Sequence, residues 1–190
     1  MIARRETALI TGGSAGIGYE IAKILGSMGC DLVLASNERD RLNAIKREFE
    51  KKYRIKVTVI AADLARQDAA ARLYGACRRK RLTVDVLVNN AGTFFFCEAV
   101  MADSDRAMRL MNLHIITPSM LCALFGRGMK ERRHGYILNV ASISGYRDFP
   151  GISFYGSSKR YLRSFTKSLR CEMKKYNVKV TCLSPGATAT

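Results

Sequence analysis

A tyrosine and a lysine four residues apart are the first candidates for chemistry in this chain. Tyr155 and Lys159 lie in the stretch SFYGSSKRYL, and in a helix they stand one turn apart on the same face. A free phenol has a pKa of ~10, so proton donation at neutral pH requires about 4 kcal/mol of preferential stabilisation of the phenolate. A neighbouring ammonium group supplies such stabilisation. The pair is therefore a candidate acid/base couple.

The same spacing recurs at Tyr19 and Lys23, so spacing alone does not identify a site. For an isolated pair of this kind, a solvated helix face is the ordinary interpretation. Ser142 distinguishes the second pair, because it lies thirteen residues before Tyr155 at the predicted carboxyl end of a strand. Ligands of open α/β sheets bind at that end. Tyr155 is therefore the catalytic candidate, whereas Tyr19 is predicted to be a surface or packing residue.

Six short runs rich in apolar and β-branched residues are predicted strands, and longer segments with helical periodicity separate them. They are TALIT at 7–11, DLVLA at 31–35, KVTVIA at 56–61, VDVLV at 84–88, YILNVA at 136–141 and VKVTCL at 178–183. Nearly continuous apolar runs are typical of strands covered on both faces. The alternation predicts one α/β domain over 1–190 with a doubly wound parallel sheet.

The turn after the first predicted strand, TGGSAGIG at 11–18, is rich in glycine. Gly12, Gly16 and Gly18 permit positive φ and allow backbone N–H groups and a helix N-terminus to approach a pyrophosphate. The spacing G-x-x-x-G-x-G differs from the usual G-x-G-x-x-G, and a plain tight loop is the alternative. Its place between a first strand and a helix favours a dinucleotide site.

Several motifs occur in one order along the chain. They are TGGSAGIG, Asp63 in AADLA, NNAG at 89–92, Asn112, Ser142 in LNVASISG, YGSSK at 155–159 and SPGATAT at the end. Together they resemble the short-chain dehydrogenase/reductase family over the whole chain. The resemblance implies a Rossmann fold, a nicotinamide cofactor, and hydride transfer between that cofactor and a small-molecule carbonyl or alcohol substrate. In the reducing direction, Tyr155 would donate a proton to the carbonyl oxygen.

The resemblance also implies roles for single residues. Lys159 would hold the nicotinamide ribose as well as assist Tyr155, Ser142 would hydrogen-bond the substrate oxygen, and Asn112 would hold a water in a proton relay. An asparagine that caps or kinks a buried helix is the alternative for Asn112. The implied cofactor contacts are Gly12, Ser14, Gly16, Ile17, Gly18, Ser36, Arg39, Asp63, Leu64, Asn90, Ala91, Gly92, Tyr155, Lys159, Pro185, Gly186 and Thr190.

The end of the second strand, LASNERDR, predicts NADP(H) in preference to NAD(H). An NAD-specific site usually places a carboxylate there, about 20 residues past the glycines. Ser36 stands at that position, and Arg39 is close enough in sequence to pair with a 2′-phosphate. Glu38 could instead bind the ribose hydroxyls, and Ala15 stands where many NADP-using relatives carry a basic residue. NAD(H) therefore stays possible.

The substrate side is represented by TFFF at 93–96 and GYRDFPGISF at 145–154, which follow the fourth and fifth strands. Their aromatic residues predict an apolar substrate pocket, and packing against neighbouring helices is the alternative. The resemblance further implies a homo-oligomer, a dimer or tetramer, formed through helices around 103–130 and 153–176. The family continues past SPGATAT into a substrate-covering loop, a helix and a last strand, so we expect those residues to be missing after Thr190.

The net charge is unusual, because 32 Lys and Arg against 16 Asp and Glu leave a formal +16. Such a charge attracts polyanions. The basic groups RRKR at 78–81, KK at 51–52, KERR at 130–133 and KK at 174–175 lie near predicted helix ends, which favours solvated helix termini over a nucleic-acid surface. A catalytically idle nucleotide-sensing or polynucleotide-binding protein is the alternative function, and the intact set from Asn112 to Lys159 argues against it.

Cysteine and N-terminal patterns bound the remaining classes. Six cysteines without C-x-x-C, with only two histidines, predict neither a metal site nor a disulfide framework. The apolar run near the N-terminus is too short for a signal sequence or a membrane span. We therefore expect a cytoplasmic protein without a membrane-spanning segment.

Overall fold

Residues 5–187, which the computed structural model describes, form one six-stranded sheet flanked by helices. The strands are β1 (Thr7–Thr11), β2 (Asp31–Ser36), β3 (Val57–Ala61), β4 (Val86–Asn89), β5 (Gly135–Val140) and β6 (Val178–Leu183). Every neighbouring pair is parallel, and the order across the sheet is β3-β2-β1-β4-β5-β6. The predicted doubly wound α/β fold is confirmed, and each predicted strand lies within two residues of an observed one.

The helices cover both faces of this sheet. They are α1 (Gly16–Ser27), α2 (Arg39–Tyr53), α3 (Ala69–Arg79), α4 (Ser104–Met111), α5 (Thr117–Arg132) and α6 (Ser153–Lys174). Successive strand residues point to opposite faces. Leu9 accordingly packs with Leu121 of α5 in one buried cluster, while Ile10 packs with Phe49 of α2 in the other. Burial on both faces explains why the strands are nearly continuous in apolar residues.

The strand order places a crevice between β1 and β4. The chain builds outward from β1 through β2 to β3, then returns to the centre and continues from β4 to β6. Ligands of open α/β sheets bind at the carboxyl ends of the strands where the order reverses. The TGGSAGIG turn follows β1 and the NNAG turn follows β4. The fold therefore brings the two motifs to one edge.

Helices α4 and α5 are joined without a loop by a π-helical turn, Asn112–Ile116. Pro118, in the first turn of α5, has no N–H and cannot bond the carbonyl four residues earlier. The missing donor is a physical reason for the local change to π-helical hydrogen bonding, which inserts one residue into the helix. Asn112, at the start of this turn, thus lies where a long helix changes register.

The continuous segment Ser104–Arg132 is long and apolar enough to cross a membrane by length and composition alone. It has 29 residues, with a mean hydropathy of 1.3 in its most apolar window of 18. Core helices of folded domains pass the same test. Here Leu110, Leu121, Phe125 and Met129 are buried against the rest of the domain, which is the packing of a core helix.

The basic groups lie at helix ends, as predicted. Lys51 and Lys52 are in the last turn of α2, and Arg78 and Arg79 are in the last turn of α3. The last turns of α5 and α6 also carry basic side chains. Cations at these positions interact favourably with the helix macrodipole. The helix dipole therefore explains the placement of these basic groups.

Candidate active site

A cleft of about 940 Å³ opens at the carboxyl ends of β1 to β4, and we call it the glycine cleft. Most of the residues expected to contact a cofactor line it. They are Gly12, Ser14, Gly16, Ile17, Ser36, Asp63, Leu64, Asn90, Ala91 and Gly92. The N-terminus of α1 at Gly16 borders the same space. Unpaired N–H groups at a helix N-terminus favour a phosphate ligand.

Two glycines allow the walls of the glycine cleft to close together. Gly12 has φ +66°, and a Cβ there would lie 2.9 Å from both Ala91 Cα and Asn90 Nδ2. A Cβ on Gly18 would collide with the Gly12 carbonyl and the Asn90 amide. Gly18 therefore acts behind the cleft by letting α1 approach the turn. A pyrophosphate needs this close backbone approach, so the residues present fit a dinucleotide.

Thr11, which the sequence analysis did not single out, ties the two glycine-bearing turns together. Its hydroxyl oxygen accepts hydrogen bonds from the N–H groups of Asn90 (2.9 Å) and Ala91 (3.1 Å). The hydroxyl itself donates to the Val88 carbonyl at 3.2 Å. The signal was available in the sequence, since Thr11 is the polar last residue of the central strand.

The end of β2 is organised around Glu38. Its carboxylate accepts a hydrogen bond from the Ser14 hydroxyl at 2.6 Å and another from Arg41 at 3.2 Å. These two bonds lower the pKa of the Glu38 carboxyl, so it is ionised at neutral pH. The hydroxyl oxygens of Ser14 and Ser36 are also within hydrogen-bond distance, 3.0 Å apart. A carboxylate thus stands beside the expected 2′-phosphate position, although β2 itself ends in a serine.

Arg39, expected to face the 2′-phosphate, does not line the glycine cleft, whereas Arg41 does. Helix α2 begins at Arg39, and this residue is exposed. Arg41 lies one turn after Glu38 on the same side of the helix, and the two form an ion pair at 3.2 Å. Proximity in sequence suggested Arg39, but the rotation of the helix brings Arg41 to the cleft.

Asp63 lines the glycine cleft, and its carboxylate is engaged by the protein. Arg109 of α4 donates to it at 2.9 Å, and the Ala65 N–H donates at 3.0 Å. The hydrogen bond from Arg109 lowers the pKa of the Asp63 carboxyl. Arg109 also lines the cleft, and sequence reasoning missed it because α4 is distant from β3 in the chain.

A second cleft, of about 600 Å³, contains the candidate acid/base couple, and we call it the tyrosine cleft. It is lined by Ser142, Tyr155, Lys159, Pro185 and Gly186. Four residues, Ile17, Asn90, Gly92 and Thr93, line both this cleft and the glycine cleft. The two spaces are therefore contiguous. The expected contact Thr190 lies outside the described residues.

Lys159 is buried directly behind the tyrosine cleft. Its side chain is 5% exposed, and its Nζ donates to the Val140 carbonyl at 3.1 Å. Burial lowers the pKa of this lysine to about 8. The Nζ atom lies 5.7 Å from the centroid of the Tyr155 ring, so the ammonium and the phenol are neighbours, as the helical spacing predicted.

Ser142 follows β5 and is 7% exposed. Its Oγ accepts a hydrogen bond from the Ser144 N–H at 3.1 Å. This contact uses a lone pair and orients the hydroxyl without consuming its proton. Ser142 can therefore donate to an oxygen bound in the tyrosine cleft.

The proton-relay role expected for Asn112 stays a prediction. Its amide donates to the Ala65 carbonyl at 3.2 Å, and the residue lines neither cleft. It also begins the π-helical turn, and its own carbonyl accepts from the Thr117 N–H. The alternative interpretation, an asparagine at a kink in a partly buried helix, describes these contacts.

The competing pair at Tyr19 and Lys23 has the structural role predicted for it. The Tyr19 ring packs on Phe49 with centroids 5.5 Å apart, and its hydroxyl lies 3.4 Å from Glu48. Lys23 pairs with Glu20 at 3.1 Å. The same spacing thus yields a packing residue on α1 and a cleft residue on α6.

The aromatic run at 93–96 serves both of the purposes considered for it. Phe94 is 57% exposed and lines the tyrosine cleft. Its ring packs edge to face on that of Tyr155, with the ring centroids 4.9 Å apart. Phe95 is buried, with the Arg106 guanidinium 4.4 Å from its ring centroid. Phe96 packs against Gly151. An apolar cleft wall and helix packing therefore use neighbouring residues.

His114 lies beside the couple and was not flagged by any sequence motif. The ring is 1% exposed, its Nε2 accepts from the Thr93 N–H at 3.0 Å, and its Nδ1 lies 3.0 Å from Ser158 Oγ. Burial lowers the pKa of the imidazole to about 3. A neutral histidine thus connects the NNAG turn with α6.

Within residues 5–187, no cluster of three or more His, Cys, Asp and Glu side chains is arranged to hold a metal ion. All six cysteines are free thiols, and Cys30, Cys77 and Cys122 are buried.

Comparisons with known proteins place the chain among related sequences and structures. The family model described as short chain dehydrogenase matches residues 6–190. The very-long-chain 3-oxoacyl-CoA reductase of Mus musculus is 30% identical over 191 residues, and the match covers 97% of this chain but only 60% of that protein. This chain therefore spans about 60% of the length of that relative.

Two solved structures show the same fold. The bulky-bulky ketone specific alcohol dehydrogenase of Comamonas testosteroni has a TM-score of 0.91 at 27% identity, covering 96% of this chain and 73% of that chain. A short-chain dehydrogenase of Sphingobium yanoikuyae, solved in complex with NADPH, has a TM-score of 0.91 at 28% identity, covering 97% and 72%. With a family match over nearly its whole length, the chain belongs to the short-chain dehydrogenase family.

Proposed function

We propose that this chain carries the active site of an NAD(P)-dependent oxidoreductase that interconverts a carbonyl compound and an alcohol. The observation that carries the proposal is the common position of Ser142, Tyr155 and Lys159 in the tyrosine cleft, contiguous with the glycine cleft. A dinucleotide in the glycine cleft would reach the phenol, since Asn90 and Gly92 line both spaces.

The protein's part in this reaction is to bind, orient and protonate. A bound nicotinamide supplies a hydride for the carbonyl carbon, or accepts one in the reverse direction. Tyr155 donates its phenolic proton to the substrate oxygen, and Ser142 donates a hydrogen bond to the same atom. The ammonium group of Lys159 stabilises the phenolate that remains on Tyr155. In the oxidising direction the phenolate takes the alcohol proton back.

The proposed substrate is an apolar carbonyl compound or alcohol. Phe94 and Ile143 are large apolar side chains in the wall of the tyrosine cleft, 57% and 55% exposed respectively. Apolar side chains around a few convergent polar groups are typical of small-molecule sites. The names of the similar proteins, a very-long-chain 3-oxoacyl-CoA reductase and a bulky-ketone alcohol dehydrogenase, support the same class.

The central test is Tyr155→Phe. We expect turnover to fall at least about 100-fold, because the change removes the proton donor, while the dissociation constant of the cofactor changes less than about threefold. Turnover is followed by cofactor absorbance with a panel of aromatic and aliphatic ketones, and cofactor binding by fluorescence. Tyr19→Phe is the matched control, since it deletes the same hydroxyl from the other Tyr/Lys pair. Parental turnover in Tyr155→Phe would show that the mechanism is wrong.

We further propose that NADP(H) is bound in preference to NAD(H). Ser36 leaves the end of β2 without a carboxylate, and Arg41 borders the cleft beside it. Glu38 opposes the preference, but Arg41 pairs with its carboxylate at 3.2 Å and offsets part of its repulsion. The strong positive charge of the chain, +16, also favours the extra anion.

The cofactor preference is measured as dissociation constants for NADPH and NADH. We expect tighter NADPH binding by the parent protein and a reversal in Ser36→Asp, which introduces the missing carboxylate. Glu38→Gln should strengthen NADPH binding severalfold, because it removes a charge that repels the 2′-phosphate. Tighter NADH binding by the parent protein would refute the preference while leaving the hydride-transfer proposal intact.

A further inference from the structure

His114 joins two elements that form the wall of the tyrosine cleft. It lies in the π-helical turn, and its Nε2 accepts a hydrogen bond from the Thr93 N–H, which follows β4. On its other side, Nδ1 lies 3.0 Å from the hydroxyl of Ser158 on α6. Both His114 and Ser158 are at most 1% exposed. Water does not compete for either hydrogen bond.

The hydrogen bonds permit only one state of the ring. The Thr93 N–H can only donate, so Nε2 must offer its lone pair and the ring proton sits on Nδ1. That proton is donated to Ser158 Oγ, and the Ser158 hydroxyl donates in turn to the Tyr155 carbonyl at 2.7 Å. A second ring proton would face the Thr93 N–H and would add a cation beside Lys159. The imidazole is therefore a neutral, directed bridge.

The His114 bridge connects residues that contact the Tyr155 phenol. The rings of His114 and Tyr155 meet edge to face with centroids 5.6 Å apart. Phe94, the residue after Thr93, also packs on this phenol, with ring centroids 4.9 Å apart. A Cβ on Gly92 would lie 3.1 Å from His114 Nε2 and 3.5 Å from Lys159 Nζ, so the turn at Gly92 packs closely against both side chains.

We propose that His114 is a positioning residue that locks the Gly92–Thr93 turn to α6 and thereby fixes the orientation of the Tyr155 phenol. The inference rests on the proposed function, because it assigns a purpose to the orientation of that phenol. An ordinary buried histidine stabilises whichever elements it touches. Here, one polar contact of His114 is to the N–H of Thr93, the neighbour of Phe94, whose ring contacts Tyr155. The other contact is to Ser158, whose hydroxyl donates to the Tyr155 carbonyl.

Three substitutions separate the two halves of the bridge. His114→Phe keeps a flat ring and loses both hydrogen bonds. His114→Gln retains an amide oxygen that can accept from Thr93, and His114→Asn retains an amide N–H that can donate to Ser158. His134→Phe is the matched control, because this second histidine pairs with Glu6 at 2.7 Å and precedes β5 at the opposite end of the sheet.

We expect kcat of His114→Phe to fall about 30- to 100-fold, because displacement of a reacting group by about 1 Å has effects of this size. KM for the ketone should change less than about threefold, since His114 itself lines neither cleft. The dissociation constant of NADPH should change less than kcat, because Gly92 is the one expected cofactor contact in the turn that His114 holds. Gln and Asn should each recover part of kcat, and His134→Phe should match the parent. Unchanged kcat in His114→Phe would overturn the proposal. Parallel losses of kcat, NADPH affinity and melting temperature would overturn it too, because they indicate general destabilisation.

A readout that needs no turnover keeps this proposal separate from the proposed function. Tyrosine ring signals in NMR spectra of the NADPH complex can be assigned to Tyr155 by comparison with Tyr155→Phe. Replacing the His114 ring, 5.6 Å from the phenol, would by itself alter the ring-current shift of Tyr155, so the variant used here is Ser158→Ala, which breaks the bridge and keeps that ring. The Tyr155 signal should move or split in Ser158→Ala and stay in place in His134→Phe. If the parent protein lacks carbonyl-reducing activity, the proposed function fails while this signal still decides the positioning role. A Tyr155 signal unaffected by Ser158→Ala would contradict that role.

Discussion

Lys159 lies in the candidate active site and carries an unfavourable buried charge. Its side chain is 5% exposed, and burial lowers its pKa from the ordinary 10.5 to about 8. Below about pH 8 the folded protein therefore contains a buried ammonium that is better solvated in the unfolded chain. The shift corresponds to about 3 kcal/mol of destabilisation at neutral pH. The proposed reaction needs this charge beside Tyr155. The same buried ammonium that the reaction requires therefore lowers the stability of the fold.

The pH dependence of stability tests this description of Lys159. Between about pH 8 and 10.5 the unfolded chain holds a proton that the folded chain has released, so this lysine's effect on the free energy of unfolding becomes more favourable as pH rises. We expect the parent protein to gain up to about 3 kcal/mol relative to Lys159→Met across that range. Urea unfolding at several pH values measures the difference. Lys167→Met, at an exposed position of the same helix, is the control, and a pH-independent difference for Lys159→Met would contradict the buried charge.

Elements differed in how far the sequence could predict them. The strands were predicted within two residues, because burial on both faces leaves continuous apolar runs that end where the chain turns. The glycine and NNAG turns were found because positive φ and close packing restrict which residues can stand there. Which face of a helix points to the cleft was harder to predict from the sequence. Arg39 and Arg41 are equivalent by composition, and only the start of α2 decides that Arg41 faces the cleft.

The contacts of His114 and Asn112 could not be read from local patterns. His114 bonds residues 21 and 44 positions away, and both bonds depend on a π-helical turn that shifts the register of a long helix. Asn112 was placed in the catalytic set by its motif, yet its amide bonds the Ala65 carbonyl after β3. Sequence motifs identified most of the residues that line the two clefts. The three-dimensional meeting of distant elements determines which of them face the clefts.

At the scale of the whole molecule, charge and apolar surface act in opposition. The chain carries a formal +16, so two copies repel each other. The α4, π-turn and α6 surface nevertheless exposes Met108, Ile116 and Tyr161, which are 62%, 42% and 40% exposed. Met120 of α5 is 47% exposed on the same helical segment, and Ser119 beside it contacts the Tyr161 hydroxyl at 3.2 Å. Large exposed apolar patches often mark protein–protein contacts.

We expect this surface, which lies on the helices predicted to mediate oligomerisation, to support self-association that strengthens with salt. Raising NaCl from about 0.05 M to about 0.5 M shortens the screening length and weakens repulsion between like-charged copies, while apolar burial is retained. Sedimentation velocity should therefore show a larger oligomer fraction at high salt, and Met120→Glu should reduce it at least severalfold. Met28→Glu, at an exposed position after α1, is the matched control. Binding to a polyanion has the opposite response, because it weakens as salt rises. A protein that stays monomeric at both salt concentrations, or associates less at high salt, would contradict an interface on this surface.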